Sequence, residues 1–211
     1  MAEVPGDGMP EPETDELGRY LEDTITIDWQ TPAVSERARE LLAGREEPEE
    51  RVRVLFEFVR DEIDHSFDIE TNATTCRASE VLAERTGVCY AKSHLLAGLL
   101  RYAGFPTGFC YARLTSASGS GGGGDFTLHG CNATWWAAGE RWIYLDPRGG
   151  PPERATECRF EAPWSLAHRP DVEAGESFLP LIYKRPAKRI IDLLERAPDL
   201  AAVRRNLPGS L

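Results

Sequence analysis

An α+β fold, with helices in the N-terminal half packed on an antiparallel sheet, follows from three observations. Two segments opened by Pro32 and Pro48 carry apolar residues at helical spacing. A third apolar segment runs from Cys89 to Ala103 between Gly87 and Gly104. Beyond it, residues 106–114 and 126–146 alternate as strands do, with a turn at Ala137-Ala138-Gly139-Glu140.

The elements follow in order. Residues 1–16 are rich in acid, Pro and Gly and have little to bury, so residues 1–19 are expected as a disordered acidic tail and residues 20–211 as the folded domain. Thr24, Ile25, Thr26 and Ile27 suggest a short edge strand within 20–29. The first helix runs from Pro32 to Leu42 and stops at Gly44. The second begins at Pro48, with Val52, Leu55, Phe56, Val59 and Ile63 as its apolar stripe and Glu49 and Glu50 near its positive end. Residues 65–75 read as irregular, and Ser79 to Arg85 as a short helix broken at Thr86-Gly87. In the next helix Leu95, Leu96, Leu99, Leu100 and Ala103 recur at helical spacing until Gly104 and Pro106 end it. The glycine-rich stretch 115–125 is expected to be a mobile connection between strands. It does not read as a phosphate cradle, because no Gly-Lys-Ser/Thr follows and it leads into a strand. Residues 186–206 are expected to close the chain with helical segments.

Composition narrows the function classes. The 211 residues carry a net charge of −11, but residues 1–23 alone hold eight acidic side chains against one basic. The remainder is near balance and shows no dense basic stripe, so no nucleic-acid partner is expected. The basic groups are 21 Arg and 3 Lys, which fits a GC-rich genome. No apolar run reaches membrane-spanning length, and the N-terminus shows neither the basic nor the apolar region of a signal peptide. Five cysteines with no C-x-x-C pair fit reduced thiols in the cytoplasm.

Cys89 is the first candidate for chemistry. It follows a Gly-Val step at a helix start, where unpaired N–H groups and the positive end of the macrodipole favour a thiolate. A small apolar residue at a helix start is the competing reading. Downstream, His129 begins one strand of the predicted hairpin and Asp146 ends the other. A four-residue turn puts Asp146 opposite Cys131, diagonal to His129 and on the same face. Cys, His and Asp are the groups needed to make, activate and orient a nucleophile. The face bearing His129, Cys131, Ala133 and Trp135 is expected to pack on the Cys89 helix. His94 lies about 140° round the helix from Cys89 and points away, and His65 and His168 read as surface residues. Cys76, Cys110 and Cys158 read as incidental buried thiols. Cys131 offers an alternative, a zinc site made with His129 and Cys89. The Cys89 N–H is one oxyanion donor in waiting, and Tyr90, Tyr111 and the segment 75–77 are candidates for a second.

Gly-Val-Cys at the helix start, LLRYAGFP at its end, a His on a strand and WIYLDP together resemble the transglutaminase-like superfamily over Arg51 to Arg148. CRASEVLA, AKSHLL, GFCYARL and LHGCNA are similar to a prokaryotic subgroup of small single-domain members. The resemblance implies a papain-like arrangement with Cys89 as nucleophile, His129 as base and Asp146 as orienting acid. It implies acyl transfer from a peptide, isopeptide or other amide, the acceptor being water or an amine, and no cofactor. A protein side chain is among the substrates this allows. Many members have His-Ala-Trp where this chain has His129-Gly130-Cys131, so substrate preference does not carry over. A binding module that retains the fold without catalysis is the other class of function, which the presence of all three residues disfavours.

Overall fold

A computed structural model describes residues 8–115, 126–149 and 155–211. The expected glycine-rich connection falls almost wholly outside these residues, as do residues 1–7 of the expected tail.

Helices α1 (Pro32–Leu42) and α2 (Pro48–Glu62) form as their prolines and apolar stripes dictate. Val52, Leu55, Phe56 and Val59 are fully buried, each contributing about 1.5–3 kcal/mol through removal of its side chain from water. After α2, a two-residue strand β2 (Asp64–His65) runs parallel to β3 (Thr86–Gly87), which follows α3 (Ala78–Glu84). Helix α4 (Cys89–Tyr102) is buried along nearly its whole length. Its C-terminal end is tied down by Arg101. That guanidinium is buried and donates to the carbonyls of Glu22, Thr107 and Lys184 at 2.7–3.1 Å.

Strands β4 (Thr107–Thr115), β5 (Phe126–Trp136) and β6 (Arg141–Leu145) form the antiparallel sheet, with β7 (Ser177–Phe178) on its other edge in the order β6-β5-β4-β7. The β5–β6 pairing joins Trp136 to Arg141 and Asn132 to Leu145, the register expected of a four-residue turn. Helices α5 (Lys188–Arg196) and α6 (Leu200–Arg205) close the chain.

Two expectations are corrected at the N-terminus. From Met9 onward the acidic segment is ordered. Strand β1 (Glu11–Pro12) pairs in parallel with β8 (Leu181–Ile182), the Pro10 carbonyl accepts from the Tyr144 hydroxyl at 2.7 Å, and Glu13 binds Lys184. An acid-rich segment is held here by partners 134 to 171 residues away, which local composition cannot reveal. Residues 20–29 form no edge strand. Leu17–Leu21 is a 3-10 turn that buries Tyr20, and the chain then bends toward α1.

A third correction concerns the sheet face. Cys131 and Ala133 lie on the side away from α4, in a second apolar cluster with Tyr20, Cys110, Ala112 and Tyr144. The side that meets α4 carries Leu128, Gly130 and Asn132. Leu128 belongs to the main core, Asn132 Nδ2 donates to Ser93 O at 3.1 Å, and a Cβ on Gly130 would stand 2.7 Å from Tyr90 Cδ1. Residues 128–134 are all buried, so alternation of polarity could not mark one face as inner.

Candidate active site

Cys89 is the first residue of α4, half-buried, after Val88 in extended conformation. The approach to it is fixed by the β2–β3 pairing and by Gly87, where a Cβ would meet Ala91 Cβ at 2.9 Å. The absence of a side chain at Gly130 lets the first turn of α4 lie directly against β5. Tyr90 then anchors the turn by donating its hydroxyl to the Leu128 carbonyl.

That close approach brings Cys89 to His129, one residue from Gly130 on β5. The two side chains line the same cleft, and the thiol is near enough to the imidazole to raise its pKa. The other side of the imidazole meets Asp146, one residue past β6. His129 Nε2–H donates to Asp146 Oδ2 at 2.8 Å, which leaves Nδ1 for the thiol. His129 is 6% exposed and Asp146 is fully buried. The structure thus brings the three residues singled out in the sequence together, with Cys89 and His129 in one cleft and His129 hydrogen-bonded to Asp146.

The electrostatics follow from burial and pairing. Burial alone would lower the His129 pKa. The charge and hydrogen bond of Asp146, with the nearby Cys89 thiol, outweigh it and push the imidazole up to about 10. Burial acts on Asp146 in the opposite sense, yet its pKa is lowered by His129 and by the backbone N–H groups of Ala167 and Arg148. These donate to Oδ2 at 2.9 Å and to Oδ1 at 3.1 Å. The carboxylate is therefore ionised and held by three donors. Thr156 Oγ1 donates to the Asp146 carbonyl at 2.6 Å and fixes the backbone there.

The remaining candidates divide clearly. His94 is fully buried behind the site, with Nδ1 2.7 Å from Cys76 O, and burial lowers its pKa to about 4. His65 is not a surface residue. It is buried beside the cleft, and burial followed by the Arg148 charge lowers its pKa to about 3. His168 is exposed as expected, but its ring lies edge-on to His129 with centroids 5.0 Å apart. Cys76, Cys110 and Cys158 are buried. Cys131 faces Cys110 directly across β4–β5, and that neighbouring thiol, together with burial, raises its pKa. Cys131 therefore partners a second strand thiol instead of joining Cys89 and His129 around a metal. Among the described residues no group of three or more His, Cys, Asp or Glu is placed to hold one.

The candidates for a second oxyanion donor are otherwise engaged. The Tyr90 hydroxyl donates to Leu128 O, while the Tyr111 hydroxyl accepts from Ala187 N at 3.0 Å and lies outside the cleft lining. The N–H groups of Cys76 and Arg77 both donate to Glu80, capping α3, and Thr75 Oγ1 donates to Thr86 O. Of the groups considered from sequence, the Cys89 N–H at the helix start is left. Sequence reasoning missed Ala167, Arg148 and Gly130. Only Gly130 left a signal, a glycine inside a strand.

A family model described as the transglutaminase-like superfamily matches residues 35–147. The chain belongs to the transglutaminase-like superfamily. Among solved structures it is similar to a candidate cysteine protease from Cytophaga hutchinsonii, at 17% identity and a TM-score of 0.52, over 72% of this chain and 47% of that one. It is also similar to the periplasmic domain of TgpA from Pseudomonas aeruginosa bound to ethylmercury, at 21% identity and a TM-score of 0.46, over 66% of this chain and 51% of that one. The chain thus spans about half the length of each, and the likeness to the first is one of fold. None of the curated proteins matches the chain. Among the described residues no helix is long and apolar enough to cross a membrane.

Proposed function

We propose that the chain is a cysteine-dependent acyl-transfer enzyme that opens amide bonds through a thioester at Cys89. Hydrolysis of peptides, isopeptides or related amides is the outcome we favour. The observation that carries the reading is Cys89 sharing a cleft with His129, whose Nε2 makes a 2.8 Å bond to the fully buried carboxylate of Asp146.

In the first half-reaction the proton shared by Cys89 and His129 is held on Nδ1, as the raised imidazole pKa favours, and the sulfur attacks the amide carbonyl carbon. Charge develops on the carbonyl oxygen, toward which the helix-start N–H of Cys89 can point. Asp146 holds the imidazole in the tautomer that can take the proton and stabilises the imidazolium that results. The imidazolium then protonates the leaving nitrogen, the C–N bond breaks and the amine departs, leaving the thioester. In the second half-reaction water gives a proton to His129 and its oxygen to the acyl carbon. The C–S bond breaks, the acid leaves, and the thiol recovers its proton. An amine in place of water would give transamidation by the same steps. Transamidation needs an amine that outcompetes water, which is why hydrolysis is preferred.

Peptide or amide groups are the expected partners, with neither nucleic acid nor membrane. Five unpaired cysteines, two of them in contact across a buried strand pair, support a reducing, cytoplasmic setting. The test is turnover of a panel of peptide and isopeptide amides by Cys89→Ser and His129→Ala. Both are expected to fold and to lose turnover. A panel member processed equally by wild type and Cys89→Ser would end this reading and favour a binding module.

A further inference from the structure

The cleft containing Cys89 and His129 encloses about 660 Å³ and is lined in part by Val88, Leu114, Leu128 and Leu207. Its charged lining consists of three guanidinium groups, Arg148, Arg169 and Arg204, and two carboxylates, Asp68 and Glu176. Both carboxylates are already engaged. Asp68 takes a bidentate pair from Arg148 at 2.7 and 2.9 Å. Glu176 accepts from Thr115 N, Thr115 Oγ1 and Asp171 N at 2.7–2.9 Å.

Arg169 and Arg204 are different. Each is exposed, and among the described residues neither has a carboxylate within ion-pair distance. They are nevertheless placed. Arg169 Nη2 donates to Trp164 O at 3.2 Å. The Arg204 guanidinium lies 4.4 Å from the centre of the Phe67 ring, with Nη2 3.5 Å from Phe67 O. Each therefore keeps most of its five N–H donors for a ligand. With Arg148 paired to Asp68, these two guanidinium groups leave the cleft lining net positive beside the nucleophile. Their forked donors match planar carboxylate oxygens.

We propose that Arg169 and Arg204 form a carboxylate subsite, and that the substrate is an amide carrying a carboxylate near the scissile bond. The proposal rests on Cys89 being the nucleophile. The carboxylate comes either from a peptide's C-terminus or from an acidic side chain beside the scissile amide.

Alkylation of Cys89 by iodoacetate and by iodoacetamide, at one pH and low salt, reads the subsite directly. Both reagents meet the same sulfur, so the ratio of their rates cancels changes in its reactivity. The ratio is expected to fall about fivefold in the Arg169→Gln/Arg204→Gln double variant, the scale of exposed charge pairs. Arg39→Gln, on the outer side of α1, should keep the wild-type ratio. An unchanged ratio in the double variant overturns the subsite. If Cys89 reacts with neither reagent, the nucleophile assignment itself falls and the subsite with it. The second arm compares peptide amides in two matched pairs, Glu against Gln beside the scissile bond, and free against amidated C-terminus. The pair in which the charged member has the higher kcat/KM, with that preference lost in the double variant, identifies the source. No preference in either pair overturns the proposal.

Discussion

Asp146→Asn is the change whose consequences the geometry defines most closely. Asp146 Oδ2 accepts from both His129 Nε2 and Ala167 N, while Oδ1 accepts from Arg148 N. An asparagine can satisfy only part of this. With its oxygen in the Oδ2 position, its NH2 group faces the Arg148 N–H, donor against donor. With the NH2 group there instead, the Ala167 N–H loses its acceptor and His129 must turn a lone pair toward the amide. The ring proton then sits on Nδ1, where it cannot accept the proton of Cys89. Either arrangement also removes the charge that holds the imidazole at about 10 against its ordinary 6.5. At about 1.4 kcal/mol per unit that difference is on the order of 5 kcal/mol, the scale of the imidazolium stabilisation at stake. A rate loss of about three to four powers of ten is expected on that basis. The assay is kcat/KM on any accepted amide, with circular dichroism to show that the variant folds. A folded Asp146→Asn with turnover within a few-fold of wild type would refute the orienting role.

Two further outcomes follow from the packing around the site. Gly130→Ala places a methyl group 2.7 Å from Tyr90 Cδ1, in a ring anchored by its own hydroxyl. It should cost about 1–3 kcal/mol of stability in denaturant titration and reduce turnover by moving Cys89 from His129; unaltered stability would count against the close approach. His94 is buried neutral with a pKa near 4 against 6.5 when unfolded. The unfolded chain therefore binds more protons between these values, and stability must fall as pH falls through that window. From about pH 7 to about pH 5 the loss through this residue is about 2 kcal/mol. His94→Gln, which can keep a donor toward Cys76 O, should be less stable at neutral pH but show a shallower acid slope. An identical slope would exclude the buried histidine as its source.

Much of this architecture was legible because local physics and tertiary need agree. Pro32 and Pro48 start helices whose stripes point to the core, and Gly104 stops the helix that carries Cys89. The hairpin was legible because the length of its turn fixes register, and register alone sets Asp146 diagonal to His129. The orientation of the sheet was not legible. Residues 128–134 are buried on both sides, and a strand with two buried faces carries no alternation to read. The glycine at 130 held that information, since a gap in side-chain volume marks where another backbone comes close. The donors that hold Asp146 were invisible for a different reason. They are backbone N–H groups, and Ala167 brings one from a segment 21 residues downstream with no periodicity of its own. The order of residues 9–21 was hidden likewise, because their partners lie near residue 182.

The central claim is that Cys89 carries the acyl group. Mixing the protein with p-nitrophenyl esters and quenching in acid, followed by intact mass and peptide mapping, tests it most directly. A mass gain equal to the acyl group, confined to Cys89, formed in a burst and discharged by water, is the predicted result. An adduct on another cysteine, or the same labelling in Cys89→Ser, would contradict it.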